Sequence, residues 1–334
     1  MKVSVVIPVF NEERNLGTLW ARLEPVLAPY DAEVIFVDDG SADRSLEILR
    51  RMAQEHPDRI KVISFNRNYG QHAAVLAGIE AAGGDVAVTL DADLQNPPEE
   101  IPRLLEKVDE GYDVVGTWRM RRKDTFFRRW ASRLSNRVTA RLLGVPLKDF
   151  GCMLRAYRRD VVDSMKSCRE RSTFVPALAC KFGRRITEIP VCHADRPGGD
   201  PSRYSLLKLL KLQADLLTGF SSAPLKLATL IGLVVAFLSI VFGVYLGIRR
   251  LVVGPENEGV FTLFAVLFFL MGASFLAMGI MGEYLARIYD EVRARPRSVI
   301  KERINFPAVP PSPSGPGARE EAGGRAGRKA EIPR

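Results

Sequence analysis

The chain has 334 residues, of which 47% are hydrophobic, and a formal net charge of +9. A chain of this length and apolar content can build a sizeable hydrophobic core. It has room for one large α/β domain and a second region. The positive charge fits an anionic membrane surface at least as well as a nucleic acid, and we expect no nucleic-acid partner.

The cysteines give no sign of a zinc site or a disulfide framework. None of the four belongs to a CxxC pair, and none has a histidine partner at zinc spacing: Cys152, Cys168, Cys180 and Cys192. They are most simply reduced, structural thiols of a cytoplasmic domain.

Apolar runs alternate with amphipathic helical patterns through the first part of the chain. After the first run, residues 11–13 open a helix whose apolar face carries Leu16, Leu19 and Leu23. Strands that alternate with helices of this length predict a mostly parallel sheet covered on both faces. The predicted strands are residues 3–9, 34–37, 60–65 and 86–90.

Polar residues collect where each of these predicted strands ends. Any one of them could be a helix cap, but four in succession at one edge of a parallel sheet indicate a ligand site. The chain has no GxGxxG after the first strand and no GxxxxGK[ST], which excludes a dinucleotide fingerprint and a P-loop. The polar strand ends are Asn11 and Glu12, then Asp38 and Asp39, then residues 66–71, then Asp91 and Asp93.

The fourth strand end carries two carboxylates one residue apart. Asp91, Asp93 and the amide of Gln95 offer hard oxygen donors, which suit Mg²⁺ or Mn²⁺ and not zinc. The alternative is an acidic turn before a helix that starts near Glu99.

Two later stretches predict transmembrane helices. Residues 227–248 and 260–280 carry no charge and are each long enough to cross a hydrocarbon core. The chain opens on a strand pattern and not on an apolar signal sequence, so we expect the first domain to stay cytoplasmic. Arg249 and Arg250 would lie on the opposite, periplasmic side, and they weaken this predicted topology slightly. The positive charges that follow the second span agree with it: Arg287, Arg293, Arg295, Arg297 and Lys301.

Three motifs in succession carry a family resemblance. VIPVFNEE, VDDGSADRS and LDADLQ resemble the GT-A glycosyltransferases of the family that includes dolichol-phosphate mannose synthase. Two spans after the catalytic domain resemble its bacterial polyprenyl-phosphate branch. Within that branch, NRNYGQHAA, GCMLRAYRRD and RIYDEVRARPR resemble the members that transfer 4-deoxy-4-formamido-L-arabinose. Residues 126–130 lack the glutamine of the QxxRW motif of processive synthases, which favours a single transfer.

The resemblance implies a donor site. Pro8, Asn11 and Glu12 would line the nucleotide pocket, and the carboxylate of Asp38 would recognise uracil. The alternative for Asp38 is a cap of the helix that follows it.

The resemblance also gives the carboxylates at the fourth strand end a role. Asp91, Asp93 and Gln95 would hold the Mg²⁺ or Mn²⁺ that bridges the donor diphosphate, and that metal would stabilise the charge building on the departing UDP. Neither aspartate would be the base.

The acceptor accounts for the arginines. A lipid phosphate is already anionic, so it needs guanidinium groups to bring it to the donor more than it needs a strong base. Arg119, Arg128 and Ser132 match the family's acceptor-phosphate positions, although residues 119–133 could instead be a solvated or headgroup face. Asp149 matches an acidic position near the acceptor and is equally plausible as a base or as a structural hydrogen-bonding group.

Arg196 and Arg203 resemble the hairpin that closes over the donor in this family. The next segment, residues 206–224, predicts an amphipathic helix in the membrane interface, with a core helix as the alternative. We expect a GT-A domain at 1–205 before this helix. After it come spans at 225–250 and 259–281 around a periplasmic loop at 251–258, a cytoplasmic juxtamembrane segment at 282–306 and a disordered tail at 307–334.

Together these features predict a metal-dependent, inverting glycosyltransferase of the bacterial inner membrane. It would move a sugar, with 4-deoxy-4-formamido-L-arabinose favoured, from UDP to undecaprenyl phosphate on the cytoplasmic leaflet, feeding lipid A modification. The alternatives are a polyprenyl-phosphate glucosyl or other hexosyl transferase and, in a different class, a non-catalytic nucleotide-sensing partner of a lipid flippase. We also expect a homo-oligomer.

Overall fold

The computed structural model describes residues 1–119, 151–168, 174–191, 223–254, 260–293 and 296–307. The predicted interfacial helix at 206–224, apart from its last two residues, and the predicted tail beyond Pro307 lie outside these ranges. The strands are β1 (Lys2–Val9), β2 (Asp31–Asp38), β3 (Ile60–Phe65), β4 (Val86–Thr89), β5 (Val114–Arg119), β6 (Arg155–Arg158), β7 (Ile186–Val191) and β8 (Ile300–Ile304). The helices are α1 (Leu16–Leu27), α2 (Ser45–Glu55), α3 (Gln71–Ala81), α4 (Ile101–Asp109), α5 (Arg159–Ser167), α6 (Val175–Phe182), α7 (Ala223–Val253) and α8 (Val260–Val292).

The described strands form one mixed sheet in the order β7-β5-β6-β4-β1-β2-β3-β8. β4, β1, β2 and β3 run parallel to one another, and β5 and β7 are a second parallel pair. β6 and β8 run antiparallel to their neighbours. This mostly parallel α/β sheet confirms the predicted GT-A-like fold class.

Helices cover both faces of the sheet because successive side chains of a strand point to opposite faces. Ile7 of β1 belongs to the same buried cluster as Leu19 of α1, whereas Val6 belongs to the cluster that contains Ile79 of α3. α3 approaches β1 closely at Gly78, where an added Cβ atom would lie 2.3 Å from Cγ1 of Val6. This position therefore requires glycine.

The strands predicted at 3–9, 34–37, 60–65 and 86–90 are confirmed as β1 to β4. The first helix starts later than its sequence pattern predicts, at Leu16 and not near Asn11. Asn11 has a φ of 56°, and the carbonyl of Glu12 accepts hydrogen bonds from the N–H groups of Asn15 and Leu16. A turn therefore separates β1 from α1, and it keeps residues 10–12 at the sheet edge.

β8 is a strand that the sequence does not predict. It follows α8 and pairs with β3 at the edge of the sheet, where Ile304 lies opposite Val62. Arg50 of α2 donates to Glu302 at 2.5 Å, and Asn305 Nδ2 donates to the carbonyls of Ala53 and Ile60. The segment that follows α8 thus belongs, through β8, to the same sheet as the strands that precede α7.

α7 and α8 are each long and apolar enough to cross a membrane. The candidate spans are Leu225–Tyr245 and Val266–Tyr289, and neither is buried inside the protein. Large apolar side chains point outward on both, such as Phe237 and Phe268, which are 67% and 66% exposed. This exposure agrees with the two predicted spans and differs from a core helix of a soluble domain, which would be buried.

A buried carboxylate joins the amino-terminal ends of the parallel strands. Glu33 of β2 is 4% exposed and accepts hydrogen bonds from Ser4 Oγ (2.5 Å), Lys61 Nζ (2.6 Å) and the N–H of Gly83 (2.8 Å). Burial alone would raise the pKa of Glu33, but the bonds from Lys61, Ser4 and Gly83 outweigh it and hold the pKa below its ordinary value. The ionised form therefore stabilises the fold.

Replacement of this carboxylate by an amide should lower stability and flatten its dependence on pH. A depressed pKa means that the contribution is complete above the unfolded-state pKa and is lost as the pH falls through the folded-state pKa. Glu33→Gln should cost about 2 kcal/mol at pH 7 and should lose less stability than the unaltered protein on acidification below pH 4.5. Thermal unfolding in detergent measures both, with the exposed Glu106→Gln as the control. An unchanged midpoint at pH 7 would contradict this role.

Candidate active site

The carboxyl ends of β1 to β4 surround an open cavity of about 420 Å³. Parallel strands bring their carboxyl ends to the same edge, and the polar residues after each strand meet there as predicted. The lining residues are Pro8, Val9, Phe10, Glu12, Asp39, Asn68, Gly70, Gln71, Asp91, Ala92 and Asp93.

Asp39 fastens one wall of the cavity. Its carboxylate accepts hydrogen bonds from the N–H groups of Tyr69 (2.6 Å) and Gly70 (2.9 Å), which fixes the loop between β3 and α3. The loop packs so closely on Gly40, whose φ is +69°, that an added Cβ atom there would lie 2.4 Å from the carbonyl carbon of Arg67. Burial raises the pKa of Asp39, the nearby charge of Asp38 raises it further, and the two N–H bonds oppose these effects.

Asp38, predicted to recognise uracil, lies beside the cavity and is not among its lining residues. Its carboxylate is 1% exposed and accepts hydrogen bonds from the N–H of Ser41 (3.1 Å) and from Ser64 Oγ (3.0 Å). The N–H of Ser41 belongs to the turn before α2, whose N-cap is Arg44, so Asp38 braces this turn and is not the predicted cap of the helix. Asp39 is the carboxylate of this pair that reaches the cavity.

The residues after β1 divide into lining and bracing groups. Pro8 and Glu12 line the cavity. Asn11 instead braces the neighbouring loop, because its side-chain oxygen accepts a hydrogen bond from the N–H of Ala42 at 2.8 Å and its own N–H donates to Ser41 Oγ at 3.0 Å. Phe10 also lines the cavity and is 46% exposed. The sequence signal for Phe10 is an aromatic residue placed directly after a buried strand.

Asp91 and Asp93 both line the cavity, on the loop after β4. Asp91 Oδ1 accepts a hydrogen bond from Gln71 Nε2 at 2.6 Å, and Asp91 Oδ2 accepts one from Asn96 Nδ2 at 3.2 Å. Asp93 Oδ1 accepts a hydrogen bond from the N–H of Gln95 at 3.1 Å. Gln95 is not among the cavity-lining residues, so Asp91 and Asp93 are the two of the three predicted metal ligands that line the cavity.

The two carboxylates fit a divalent cation only in part. In the described part of the chain, no group of three His, Cys, Asp or Glu side chains could hold a metal ion. Mg²⁺ commonly binds one or two carboxylates together with water and substrate phosphates. Asp91 and Asp93 therefore fit a cation whose remaining ligands come from a bound diphosphate and water. The donor set excludes a zinc site of the usual histidine and cysteine type.

The predicted acceptor site lies largely outside the described residues. Arg119 ends β5, and only its backbone is described. The other predicted acceptor and hairpin residues fall in ranges that the structure does not describe, and their roles stay predictions. They are Arg128, Ser132, Asp149, Arg196 and Arg203.

Comparisons with known proteins show which family the chain belongs to. The family model of glycosyl transferase family 2 matches residues 4–165. The chain is 51% identical over 310 residues to the undecaprenyl-phosphate 4-deoxy-4-formamido-L-arabinose transferase of Klebsiella pneumoniae strain 342, covering 92% of this chain and 94% of that protein. Identity to the transferase of the same description from Edwardsiella ictaluri is 53% over 314 residues, covering 91% and 95%.

Among solved structures, glucosyl-3-phosphoglycerate synthase from Mycobacterium tuberculosis is 20% identical to this chain, with a TM-score of 0.48. That match covers 65% of this chain and 77% of the synthase. The assignment comes from the curated relatives, because their identity exceeds one half over at least 91% of the chain. The chain therefore belongs to glycosyl transferase family 2, and it is a glycosyltransferase.

Proposed function

We propose that this enzyme transfers 4-deoxy-4-formamido-L-arabinose from a UDP-sugar to undecaprenyl phosphate. The observation that carries the proposal is the identity of 51% and 53%, over nearly the full length, to transferases of that description. The cavity supports it, because its volume of about 420 Å³ lies in the range of small-molecule sites and its lining combines an aromatic ring with carboxylates. The product would feed lipid A modification.

The donor occupies the cavity between the β1 and β2 ends on one side and the β4 end on the other. Phe10 offers a ring face on which a base can stack. The carboxylate of Asp39, which lines the cavity, offers acceptors for the N–H of a uracil, and each of its oxygens retains a lone pair beyond its present hydrogen bond. Asp39 therefore takes the role that the sequence assigned to Asp38. Pro8 and Glu12 complete the lining on the β1 side.

Asp91 and Asp93 would hold a divalent cation, Mg²⁺ or Mn²⁺, when the donor is bound. When bound, the cation supplies electrostatic stabilisation of the charge that develops on the departing UDP. Asp91 and Asp93 would hold the cation and would not abstract a proton. Gln95 contributes its backbone N–H to Asp93, so its side-chain amide is the least supported of the three predicted ligands.

The acceptor attacks as an anion. The phosphate oxygen of the lipid approaches the anomeric carbon from the face opposite UDP, so one displacement inverts the configuration. Arg119 and Arg128, with Ser132, hold the acceptor phosphate against the repulsion of the diphosphate. By the family resemblance, Asp149 would serve near the acceptor as a base or as a structural hydrogen-bonding group, and Arg196 and Arg203 would belong to the hairpin over the donor.

The position of β8 supports a catalytic domain and a carboxyl-terminal segment on the same side of the membrane. β1 to β7 precede α7, β8 follows α8, and all belong to one sheet. Two spans between them form a hairpin, which returns the chain to the side on which it started. Arg293, Arg297 and Lys301 after the second span support a cytoplasmic location of that side, in a bacterial inner membrane, and they outnumber Arg249 and Arg250 between the spans. A homo-oligomer remains part of the proposal.

A transfer assay tests the sugar and the acceptor. The purified protein is incubated with undecaprenyl phosphate, Mn²⁺ and a panel of radiolabelled UDP-sugars. Label should enter the lipid from UDP-4-deoxy-4-formamido-L-arabinose at least tenfold faster than from UDP-glucose, because a site built to bind a substrate polar group rejects analogues that lack it. Faster transfer of glucose would establish the hexosyl transferase alternative instead.

Asp93→Asn should lower the transfer rate by roughly 10²-fold or more, because it removes a charge that holds the cation on the leaving group. The variant should still fold and sediment with membranes. Asp109→Asn, at an exposed position on α4, is the matched control and should retain full activity. Full activity of Asp93→Asn would reject the metal role.

Arg128→Ala should raise the KM for undecaprenyl phosphate roughly tenfold while changing the KM for the UDP-sugar little, because the guanidinium would pair with the acceptor phosphate alone. Steady-state kinetics with each substrate varied in turn measures both constants. Arg51→Ala, which removes a guanidinium that is 70% exposed on α2, is the control. Equal increases in the two constants would argue against an acceptor role.

A further inference from the structure

Leu94 follows the cavity-lining Asp93 and has an unusual backbone conformation. Its φ is +62°, in the left-handed region that residues with a Cβ atom rarely adopt. In the described part of the chain, the other non-glycine residues with a positive φ are both asparagines, Asn11 and Asn305. Asparagine tolerates this conformation because its short polar side chain can form local hydrogen bonds. A leucine gains no such bond, so the backbone at Leu94 is strained and something else must hold it.

The buried side chain of Leu94 supplies that support. Leu94 is 6% exposed and belongs to the buried apolar cluster that also contains Leu19 of α1 and Val5 of β1. Removal of this aliphatic side chain from water offsets the strain of the left-handed backbone. Burial alternates along the loop, so the neighbours of Leu94 turn the other way: Ala92, Leu94 and Asn96 are buried, whereas Asp91, Asp93 and Gln95 are half-buried.

The turn at Leu94 sets the surroundings of the Asp93 carboxylate. The N–H of Gln95 donates to Oδ1 of Asp93 at 3.1 Å, across Leu94. Because peptide groups are planar, the direction of that N–H depends on the two backbone dihedral angles of Leu94. Within the described ranges no donor reaches Oδ2 of Asp93, and Asp93 lines the cavity. One oxygen is therefore held by the turn, and the other is available to a ligand.

The two ends of this loop are fixed by contacts that do not involve Leu94. At the near end, the N–H of Leu90 donates to the carbonyl of Val6 in β1 at 3.0 Å. At the far end, Arg22 of α1 donates from Nε and Nη2 to the two carboxylate oxygens of Glu99, at 2.9 and 2.8 Å. Loss of the Leu94 side chain should therefore act locally, on the turn that carries Asp93.

We propose that Leu94 is a positioning residue for Asp93. Its buried side chain holds a left-handed turn that places the Gln95 N–H on Oδ1 of Asp93 and directs Oδ2 toward the divalent cation. The inference rests on the proposed function, since it takes the cation and the nucleoside diphosphate from it. Leu94 is not among the cavity-lining residues, so it should change cation affinity through Asp93 and leave the contacts with UDP unchanged.

Mn²⁺ binding tests this without turnover. Depletion of the electron paramagnetic resonance signal of free Mn²⁺ gives the dissociation constant for the full-length protein in detergent with saturating UDP. Leu94→Ala should weaken Mn²⁺ binding by about tenfold, the lower end of the effect of groups that orient metal ligands. Leu94→Met keeps an apolar side chain of similar volume and should bind Mn²⁺ nearly as the unaltered protein does. UDP affinity measured without metal should stay the same in both variants.

Leu94→Gly separates the buried side chain from the backbone conformation. Glycine adopts a positive φ without strain, but it leaves the turn unsupported. Leu94→Gly should therefore lose at least as much Mn²⁺ affinity as Leu94→Ala. Leu105→Ala is the matched control, because Leu105 of α4 is 1% exposed in the same cluster. It should lower the thermal midpoint at least as much as Leu94→Ala does and leave Mn²⁺ affinity unchanged.

A double-mutant cycle shows whether Leu94 acts through Asp93. Leu94→Ala combined with Asp93→Asn should bind Mn²⁺ as weakly as Asp93→Asn alone. Additive losses, or unchanged Mn²⁺ affinity in Leu94→Ala or Leu94→Gly, would overturn the inference and leave the proposed function intact. An equal loss in Leu105→Ala, or a loss of UDP affinity without metal, would show a general structural role and would overturn it too. Failure of the unaltered protein to bind Mn²⁺ with UDP would overturn both the inference and the proposed metal site.

Discussion

The parallel pairing of β4, β1, β2 and β3 is the constraint on which the site depends. β1 lies between β2 and β4. Val9 pairs with Asp38, so β1 and β2 end level, whereas β4 ends at Thr89, opposite Val6 and three residues before the end of β1. Parallel neighbours need a crossover connection, and α1, α2 and α3 supply it on the faces of the sheet. Every loop that leaves a strand therefore starts at one edge, and the polar residues of four loops meet around one cavity.

Two buried carboxylates fasten opposite ends of these strands, and they differ in electrostatic character. Glu33 joins the amino-terminal ends and is paired with Lys61, which helps to hold its pKa low. Asp39 joins the carboxyl-terminal ends through two backbone N–H groups, and burial with a neighbouring Asp38 raises its pKa. At the amino-terminal ends of the strands, Lys61 thus compensates the charge of Glu33. The cavity end gathers carboxylates, which suits a ligand that arrives with a divalent cation.

The segment that follows α8, the second candidate membrane helix, is attached to the catalytic sheet. β8 lengthens the sheet beyond β3, and the carbonyl of Val299 accepts a hydrogen bond from the N–H of Asn66, the first residue of the loop that Asp39 fastens. Arg297 reaches the carbonyl of Cys168 at 2.7 Å. The segment after α8 is therefore attached close to the wall of the cavity, which limits how far the cavity can move from the membrane surface where the proposed acceptor resides.

The sequence by itself determined the α/β alternation, the four parallel strands, the two spans and the carboxylates of the β4 end. These features are local, because hydrophobic periodicity and charge can be followed within a few residues of the chain. Only the tertiary structure decided which polar side chains face the cavity: Asp39 lines it while Asp38 is turned into hydrogen bonds beside it, and Asn11 braces a loop. It also decided that β8 joins the sheet and that Gln71 meets Asp91. Most of these contacts connect residues 20 or more positions apart, and the side-chain directions depend on backbone turns and packing that no local pattern specifies.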